Sequence, residues 1–154
     1  MNIAELTDAI CDRAAADTGS GGLFAASTPL ITKFMYAQML PANAMPYCVF
    51  FFAAEVAQDM FTRNQCEVQF TVSSFTRRDD PDNTDPARHL SLIKSRVYGD
   101  SSAAQIVPTF GFHRWKPTLS EWTATHIRYL GGSDETQNDD IFQYSQRFGM
   151  FVNR

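Results

Sequence analysis

The sequence lacks the features that mark membrane proteins and secreted disulfide-rich domains. Its longest apolar run, Tyr47–Ala54, is far shorter than the roughly 20 residues of a membrane-spanning helix. The three cysteines, Cys11, Cys48 and Cys66, form no CxxC pair, and the N-terminus has no apolar stretch typical of a secretory signal. These absences predict a cytosolic protein with free thiols.

Positive charge is also scarce. Thirteen Lys and Arg against 17 Asp and Glu give a net charge of −4, the opposite of the basic surface that grips nucleic-acid phosphates. Hydrophobic residues make up 44% and charged residues 19%, which argues against a disordered chain. The 154 residues predict one domain spanning 1–154. Aromatic residues reach 13%, an excess that suggests an apolar surface kept for a partner.

Catalytic and metal-binding signatures are missing as well. A zinc site needs three or four converging ligands, whereas His89, His113 and His126 stand apart from one another and from every cysteine. No GxSxG elbow, P-loop or Cys–His protease pattern occurs. Cys48 and Cys66 fall on apolar strand faces, where thiols act as small buried hydrophobes. We therefore expect no enzymatic activity, no cofactor and no metal ion.

Two segments have helical patterns. Apolar residues at helical intervals predict a first helix over 3–16, which ends at the glycine-rich segment 17–22. That segment follows a helix instead of leading from a strand into one, so we expect a flexible loop rather than a phosphate site. Asp85 as N-cap, with proline at the next position, predicts a second helix that ends at Gly99.

Six segments have strand patterns. Tyr47–Ala53 is apolar on both parities, which predicts an internal strand covered on both faces, and residues 64–75 alternate, which predicts one buried face. The other predicted strands are residues 33–37, 105–115, 119–130 and 141–152. The prediction is an α+β fold, a mainly antiparallel sheet of about five to six strands with two α-helices packed on one face.

Three local expectations accompany this arrangement. Residues 116–118 are short enough for a hairpin, whose register places His113 near Trp122. Residues 131–138 are expected to form a longer, mobile connection. His89, in the first turns of the second helix, is expected to be solvated.

The apolar strand at 47–53 provides the candidate oligomer interface. We expect Phe50 and Phe52 on one face of the sheet and Phe51 on the other. Two short helices cannot cover both faces, so a second copy of the chain is the simplest cover for the remaining one. Arg77 and Arg78 are candidates for salt-sensitive contacts to that copy, or for a solvated loop.

Two acidic clusters are candidate channel or docking loops. Neither has the spacing of a calcium loop, and solvation explains acidic side chains in polar loops. Alternatively, they line a passage through which DNA moves without sticking, since like charges repel phosphate. The first cluster holds Asp79, Asp80, Asp82 and Asp85, and the second holds Asp134, Glu135, Asp139 and Asp140.

Four features follow one another along nearly the full length of the chain. They are an N-terminal helix, a proline-led strand from Met45 to Phe50, an alternating strand from Glu67 to Phe75 with a following helix, and a closing aromatic strand from Ile141 to Phe151. In this order they resemble the tail-terminator, or tail-completion, family of long-tailed bacteriophages, which includes the minor tail protein U of lambda-like phages. Segments 17–33 and 131–140 are long for such a compact fold, so relatives' docking surfaces need not transfer.

The resemblance implies a non-enzymatic virion protein that forms a ring, usually a hexamer. The ring would cap the head-proximal end of the tail tube, stop tube growth and join the head–tail connector or neck protein, with DNA only in transit through its channel. Two alternatives stay open. One is a neck or head-completion protein of the same phage; the other is a small-molecule-binding α+β protein whose aromatic strands line a pocket.

Overall fold

A computed structural model of the chain describes residues 3–53, 65–78, 85–100 and 108–153. Within these ranges the fold has two α-helices and six strands, and no helix is long and apolar enough to span a membrane. In chain order the elements are α1 (Ile3–Ala15), β1 (Lys33–Tyr36), β2 (Tyr47–Phe52), β3 (Gln65–Arg77), α2 (Pro86–Tyr98), β4 (Thr123–Ala124), β5 (Arg128–Asp134) and β6 (Ile141–Asn153).

The strands form one curled, mixed sheet in the order β1-β2-β3-β6-β4, and β5 also pairs with β6. Strands β1 and β2 are parallel, and the other pairs are antiparallel. The longest pairing joins β3 to β6 over 13 residues each, from Gln65 opposite Asn153 to Arg77 opposite Ile141. The predicted α+β class is confirmed.

Both helices pack on the same face of the sheet, here called the helix-covered face. Period-two alternation places Cys66, Val68, Phe70 and Val72 of β3 on this face. Phe70 is stacked on Phe148, with ring centroids 5.4 Å apart. The helices contribute the apolar stripes that their 3.6-residue periodicity predicts. The buried helical members of this core are Leu6, Ile10, Ala14, Ile93 and Val97.

The opposite face, here called the open face, has no helix over it. A small cluster of Met45, Tyr47, Val49 and Phe75 covers its start along β2. Within the single chain, both sides of β2 are covered from Tyr47 to Phe50, and Phe51 is 38% exposed. Cover of Phe51 by a second copy stays a prediction.

A buried ion pair ties the helices together. Arg96 of α2 donates from Nε (2.8 Å) and Nη2 (2.7 Å) to the carboxylate of Asp17, two residues after α1. The same carboxylate accepts the backbone N–H of Leu23 at 2.9 Å. The Arg96 guanidinium also lies 3.4 Å from the ring centroid of Phe110. The Asp17 side chain thus links the end of α1, the glycine-rich segment and α2.

The glycine-rich segment is exposed from Thr18 to Gly21 and buried at its two ends, Asp17 and Gly22. Its flexibility stays a prediction. A Cβ on Gly22 would lie 2.4 Å from the carbonyl oxygen of Asp17, which leaves room only for glycine. Leu23 and Ile31, at 2% and 1% exposure, then carry the connection into the core.

The strand predicted over 105–115 is also wrong in its described part, residues 108–115, which forms turns. Gly111 has φ +77°, and a Cβ there would lie 2.1 Å from the Cα of Gly99 at the end of α2. This close approach and left-handed conformation turn the chain sharply. Phe112 then enters the core at 1% exposure. Residues 105–107 lie outside the described ranges.

The strand predicted over 119–130 is instead divided into β4 and β5. Thr125 exchanges hydrogen bonds with the Phe151 backbone, and Ile127 N–H donates to the Trp115 carbonyl at 2.8 Å, so these residues leave the regular ladder. The expected hairpin at 116–118 reduces to a bridge between Thr118 and Thr123. Strand β5 then continues to Asp134, which shortens the predicted mobile connection to 135–140.

The ion pair between Asp17 and Arg96 generates a stability prediction. We expect Arg96→Met to lower the free energy of unfolding by about 3–5 kcal/mol, because it leaves the Asp17 carboxylate buried without its counter-charge. Urea denaturation at pH 7 measures the loss. The control is Arg128→Met, which removes an exposed pair with Glu67 at 3.7 Å and is expected to cost less than about 1 kcal/mol. Equal losses in both variants would contradict the account.

Candidate functional site

A groove of about 540 Å³ lies on the open face, between the end of β2 and strand β5. Cross-strand pairing builds its floor in rows. Phe51, Thr71 and Arg147 are direct neighbours in β2, β3 and β6, and Gly131 of β5 continues that row. The side chains of β3 and β6 that point away from the helices thus form a mostly polar floor.

The next row carries a chain of hydrogen bonds. The hydroxyls of Ser73 and Ser145 lie 2.8 Å apart, and Ser145 donates to a carboxylate oxygen of Glu135 at 3.0 Å. Since the Ser145 proton goes to the carboxylate, Ser73 is the donor to Ser145. Gln143 Nε2 donates to the same Glu135 oxygen at 3.0 Å. The two serines are 2% and 5% exposed, so these bonds satisfy polar groups buried under the groove.

Arg147 is the charged group at the other end of the groove. Its side chain is exposed, and it has no hydrogen bond or ion pair with another described residue. The groove therefore has a carboxylate near the β5–β6 turn, Glu135, that is already hydrogen-bonded within the chain. It also has a guanidinium without such a bond, Arg147, in the same row as Thr71 and Phe51.

The structure separates the three phenylalanines of β2 as predicted. Phe50 and Phe52 belong to the helix-covered face, and Phe51 lines the groove on the open face. Phe50 is fully buried and packs on Phe34 and Tyr36, with ring centroids 5.4 and 5.3 Å away. Its assignment to the oligomer interface is therefore wrong, because a neighbouring copy has no access to it. Phe52 is half-buried against the core.

Arg77 and Arg78 lie against the second acidic cluster of their own chain. Arg78 donates from Nε to the carbonyl oxygen of Asp139 at 2.8 Å and from its backbone N–H to that of Asp140 at 2.9 Å. Arg77 is half-buried and pairs with Ile141 in the ladder. A contact of either arginine with a neighbouring copy remains a prediction.

The second acidic cluster occupies the end of β5 and the turn that follows. Thr136 donates its backbone N–H to Asp134 at 2.9 Å, which lowers the pKa of that carboxyl. Glu135 reaches into the groove, whereas Asp139 and Asp140 lie exposed in the turn. Of the first cluster, Asp85 caps α2 by accepting the Arg88 N–H at 3.0 Å, as predicted, and Asp79, Asp80 and Asp82 lie outside the described residues.

Sequence reasoning missed most of the groove and part of the exposed apolar surface. Ser73, Ser145 and Arg147 were visible only as the polar parity of two alternating strands. Tyr36 and Met39, at and just beyond the end of edge strand β1, are 43% and 61% exposed. The sequence feature that could have indicated them is the presence of large apolar side chains in and next to a short strand with polar neighbours.

Two of the three histidines, His89 and His113, have structural contacts. His113 stacks on Tyr98 with ring centroids 4.8 Å apart, and its Nδ1 accepts the Tyr129 backbone N–H at 3.2 Å. The predicted partner Trp122 is wrong because the expected hairpin does not form. His89 is half-buried with Nε2 2.5 Å from the Leu30 carbonyl oxygen, which corrects its solvated assignment.

Cys48 and Cys66 are buried, as predicted, and burial raises the pKa of the Cys48 thiol to about 12 despite its hydrogen bond with Ser74. Within the described residues, no three His, Cys, Asp or Glu side chains converge in a way that would hold a metal ion.

Comparison with known proteins adds no relative. No protein-family model matches the chain, and no curated protein matches it. The site is therefore characterised by its geometry: a polar groove on an uncovered sheet face, bounded by an exposed phenylalanine and an available arginine.

The contacts of His113 predict how stability depends on pH. Burial, followed by the charge of Arg114, lowers the pKa of His113 below its ordinary value of 6.5, and the bond from Tyr129 requires an unprotonated Nδ1. This contribution is therefore fully present above pH 6.5 and is lost as the pH falls through the lowered pKa. We expect His113→Gln to flatten the change in unfolding free energy between pH 7 and 5, measured by urea denaturation. His126→Gln, at an exposed histidine, should retain the wild-type slope, and a steeper slope in His113→Gln would contradict the assignment.

Proposed function

We propose that this chain is a structural protein of a long-tailed phage virion, acting as a tail terminator. Its copies would close into a ring of about six on the head-proximal end of the tail tube, at the junction of tail and neck. There the ring stops tube growth and presents the head–tail joining surface. Its partners in this proposal are other copies of itself, the tail tube protein and a connector or neck protein, and DNA only passes through. No catalysis, cofactor or membrane is involved.

The observation that carries the proposal is the uncovered sheet face with Phe51 exposed on an internal strand. Because both helices pack on the other face, no helix in the described residues covers this one. Phe51 stays exposed, although Ser73 and Ser145 in the next row are buried within their hydrogen-bond network. An aromatic side chain beside a polar groove is the composition typical of a protein–protein contact. Self-assembly through the open face would bury Phe51.

The size of the chain is compatible with a ring. A standard interface buries about 800 Å² on each partner, and a ring gives every copy two of them. The accessible surface of the described structure is 8629 Å², so two such contacts would take about a fifth of it. A heterologous contact, in which the open face meets a different surface of the next copy, is the kind that closes into a ring.

The two alternatives predict different behaviour. A neck or head-completion protein would copurify with filled heads that lack tails, whereas a terminator would copurify with tail tubes that lack heads. The groove favours a second candidate, a small-molecule-binding protein, because its volume of about 540 Å³ lies within the usual range for ligand sites. That candidate would be a monomer or dimer whose melting temperature responds to a ligand.

Light scattering over a concentration series, repeated with purified headless tail tubes and followed by negative-stain microscopy, tests the proposal. A ring of about six copies at one end of the tubes is the expected result. A protein that stays monomeric or dimeric and ignores the tubes would overturn the terminator function. Tubes must be included because a weak contact between copies can be stabilised by the partner that the ring caps.

Phe51 provides the mutational test. We expect Phe51→Asp to remain folded, since the side chain is 38% exposed, and to lose assembly, because a carboxylate would be desolvated in the contact. The matched control is Leu92→Asp on α2, where the native side chain is 49% exposed on the other side of the molecule. Light scattering reads assembly and circular dichroism reads folding. If Phe51→Asp assembles as well as Leu92→Asp, the open face is not the contact.

A further inference from the structure

Arg147 brings an unmatched positive charge to the open face. Two other guanidinium groups have carboxylate partners within the chain: Arg96 pairs with Asp17, and Arg128 lies 3.7 Å from Glu67. Arg147 has no such partner among the described residues, although the chain as a whole is acidic. Its charge is therefore available to a group from outside.

The surroundings of Arg147 favour a carboxylate as that group. Its cross-strand neighbour Thr71 adds a hydroxyl, and Phe51 on the far side of Thr71 adds an apolar wall. At the acidic end of the groove, Glu135 accepts hydrogen bonds from Ser145 and Gln143, which lie two and four residues along β6 from Arg147, roughly 7 and 13 Å at strand spacing. Glu135 is held by these donors and not by Arg147, so the guanidinium is left for an incoming anion, which Thr71 can also contact.

The same chain presents exposed carboxylates on an ordered turn. Asp139 and Asp140 lie between β5 and β6, and neither carboxylate has a hydrogen bond with another described residue. Asn138 Oδ1 accepts the backbone N–H groups of Asp140 and Ile141, both at 2.9 Å. Arg78 holds the carbonyl oxygens of both aspartates. A turn held in this way loses little conformational entropy on docking.

Resting on the proposed self-assembly, we propose that Arg147 receives the Asp139–Asp140 turn of a neighbouring copy. Within one chain, the turn precedes the start of β6 at Ile141, and Arg147 lies six residues further along that strand, roughly 20 Å away. The turn therefore cannot reach the Arg147 of its own chain. A contact between the turn of one copy and the groove of the next joins two different surfaces, which is the head-to-tail arrangement of a ring.

Charge reversal tests this contact. We expect Arg147→Glu to raise the dissociation constant of the assembly about tenfold or more, because it places like charges together. The double variant Asp139→Lys with Asp140→Lys should weaken assembly similarly, and combining all three changes should restore it. The matched control is Arg88→Glu, which makes the same change in net charge at an exposed position of α2. Light scattering with and without tail tubes measures assembly.

Salt provides a second test of the same contact. A rise in NaCl concentration should weaken assembly of the wild type more than assembly of the neutral triple variant, which combines Arg147→Gln, Asp139→Asn and Asp140→Asn.

The outcomes separate this contact from the function on which it rests. If the wild type never assembles, even on tubes, the terminator proposal fails and the contact fails with it. If the wild type assembles and Arg147→Glu behaves like Arg88→Glu, the contact alone is overturned. It is also overturned if the three changes together do not restore assembly. Melting curves check folding, and where Arg147→Glu does not fold, Arg147→Gln replaces it, with loss of assembly expected.

Discussion

The ion pair between Asp17 and Arg96 is the constraint on which the layout of the molecule depends. It lies where α1 ends, the glycine-rich segment turns and α2 passes. Because the carboxylate is 6% exposed, the pair is kept only while these three segments remain together. Together with the apolar core that the two helices share, it holds both helices on the same side of the sheet, and the other side has no helix.

That asymmetry explains the character of the open face. Along β3 and β6, mostly apolar side chains that face the helices alternate with mostly polar side chains that face the other way. The second set includes the buried serines beneath the groove. A polar floor of this kind is stable in water once its hydroxyls are satisfied, and Glu135 and Gln143 complete that network. Phe51 is the exception on this face, an exposed aromatic that the chain itself does not cover. The proposed assembly accounts for this exception by giving it a partner.

Local patterns were sufficient to predict the elements whose residues are arranged by their own periodicity. Helix α2 begins at the predicted cap Asp85, and β6 follows its aromatic alternation. The predictions failed where distant contacts decide the backbone: the turn at Gly111 exists because Gly99 approaches it, and the break after β4 exists because Thr125 bonds to Phe151. The opposite placement of Phe50 and Phe51 was predictable from strand parity. The groove was not, since Ser73 and Ser145 are 72 residues apart and meet only through the β3–β6 register.

Hydroxyl-radical footprinting of the wild-type protein, dispersed and then assembled on tail tubes, tests the central claim most directly because it needs no substitution. The side chains to compare are Phe51 on the open face and Leu92 on α2, both exposed in the single chain. The account predicts that assembly reduces oxidation of Phe51 and leaves that of Leu92 unchanged. Protection of Leu92 with no change at Phe51 would contradict it and place the contact on the helices.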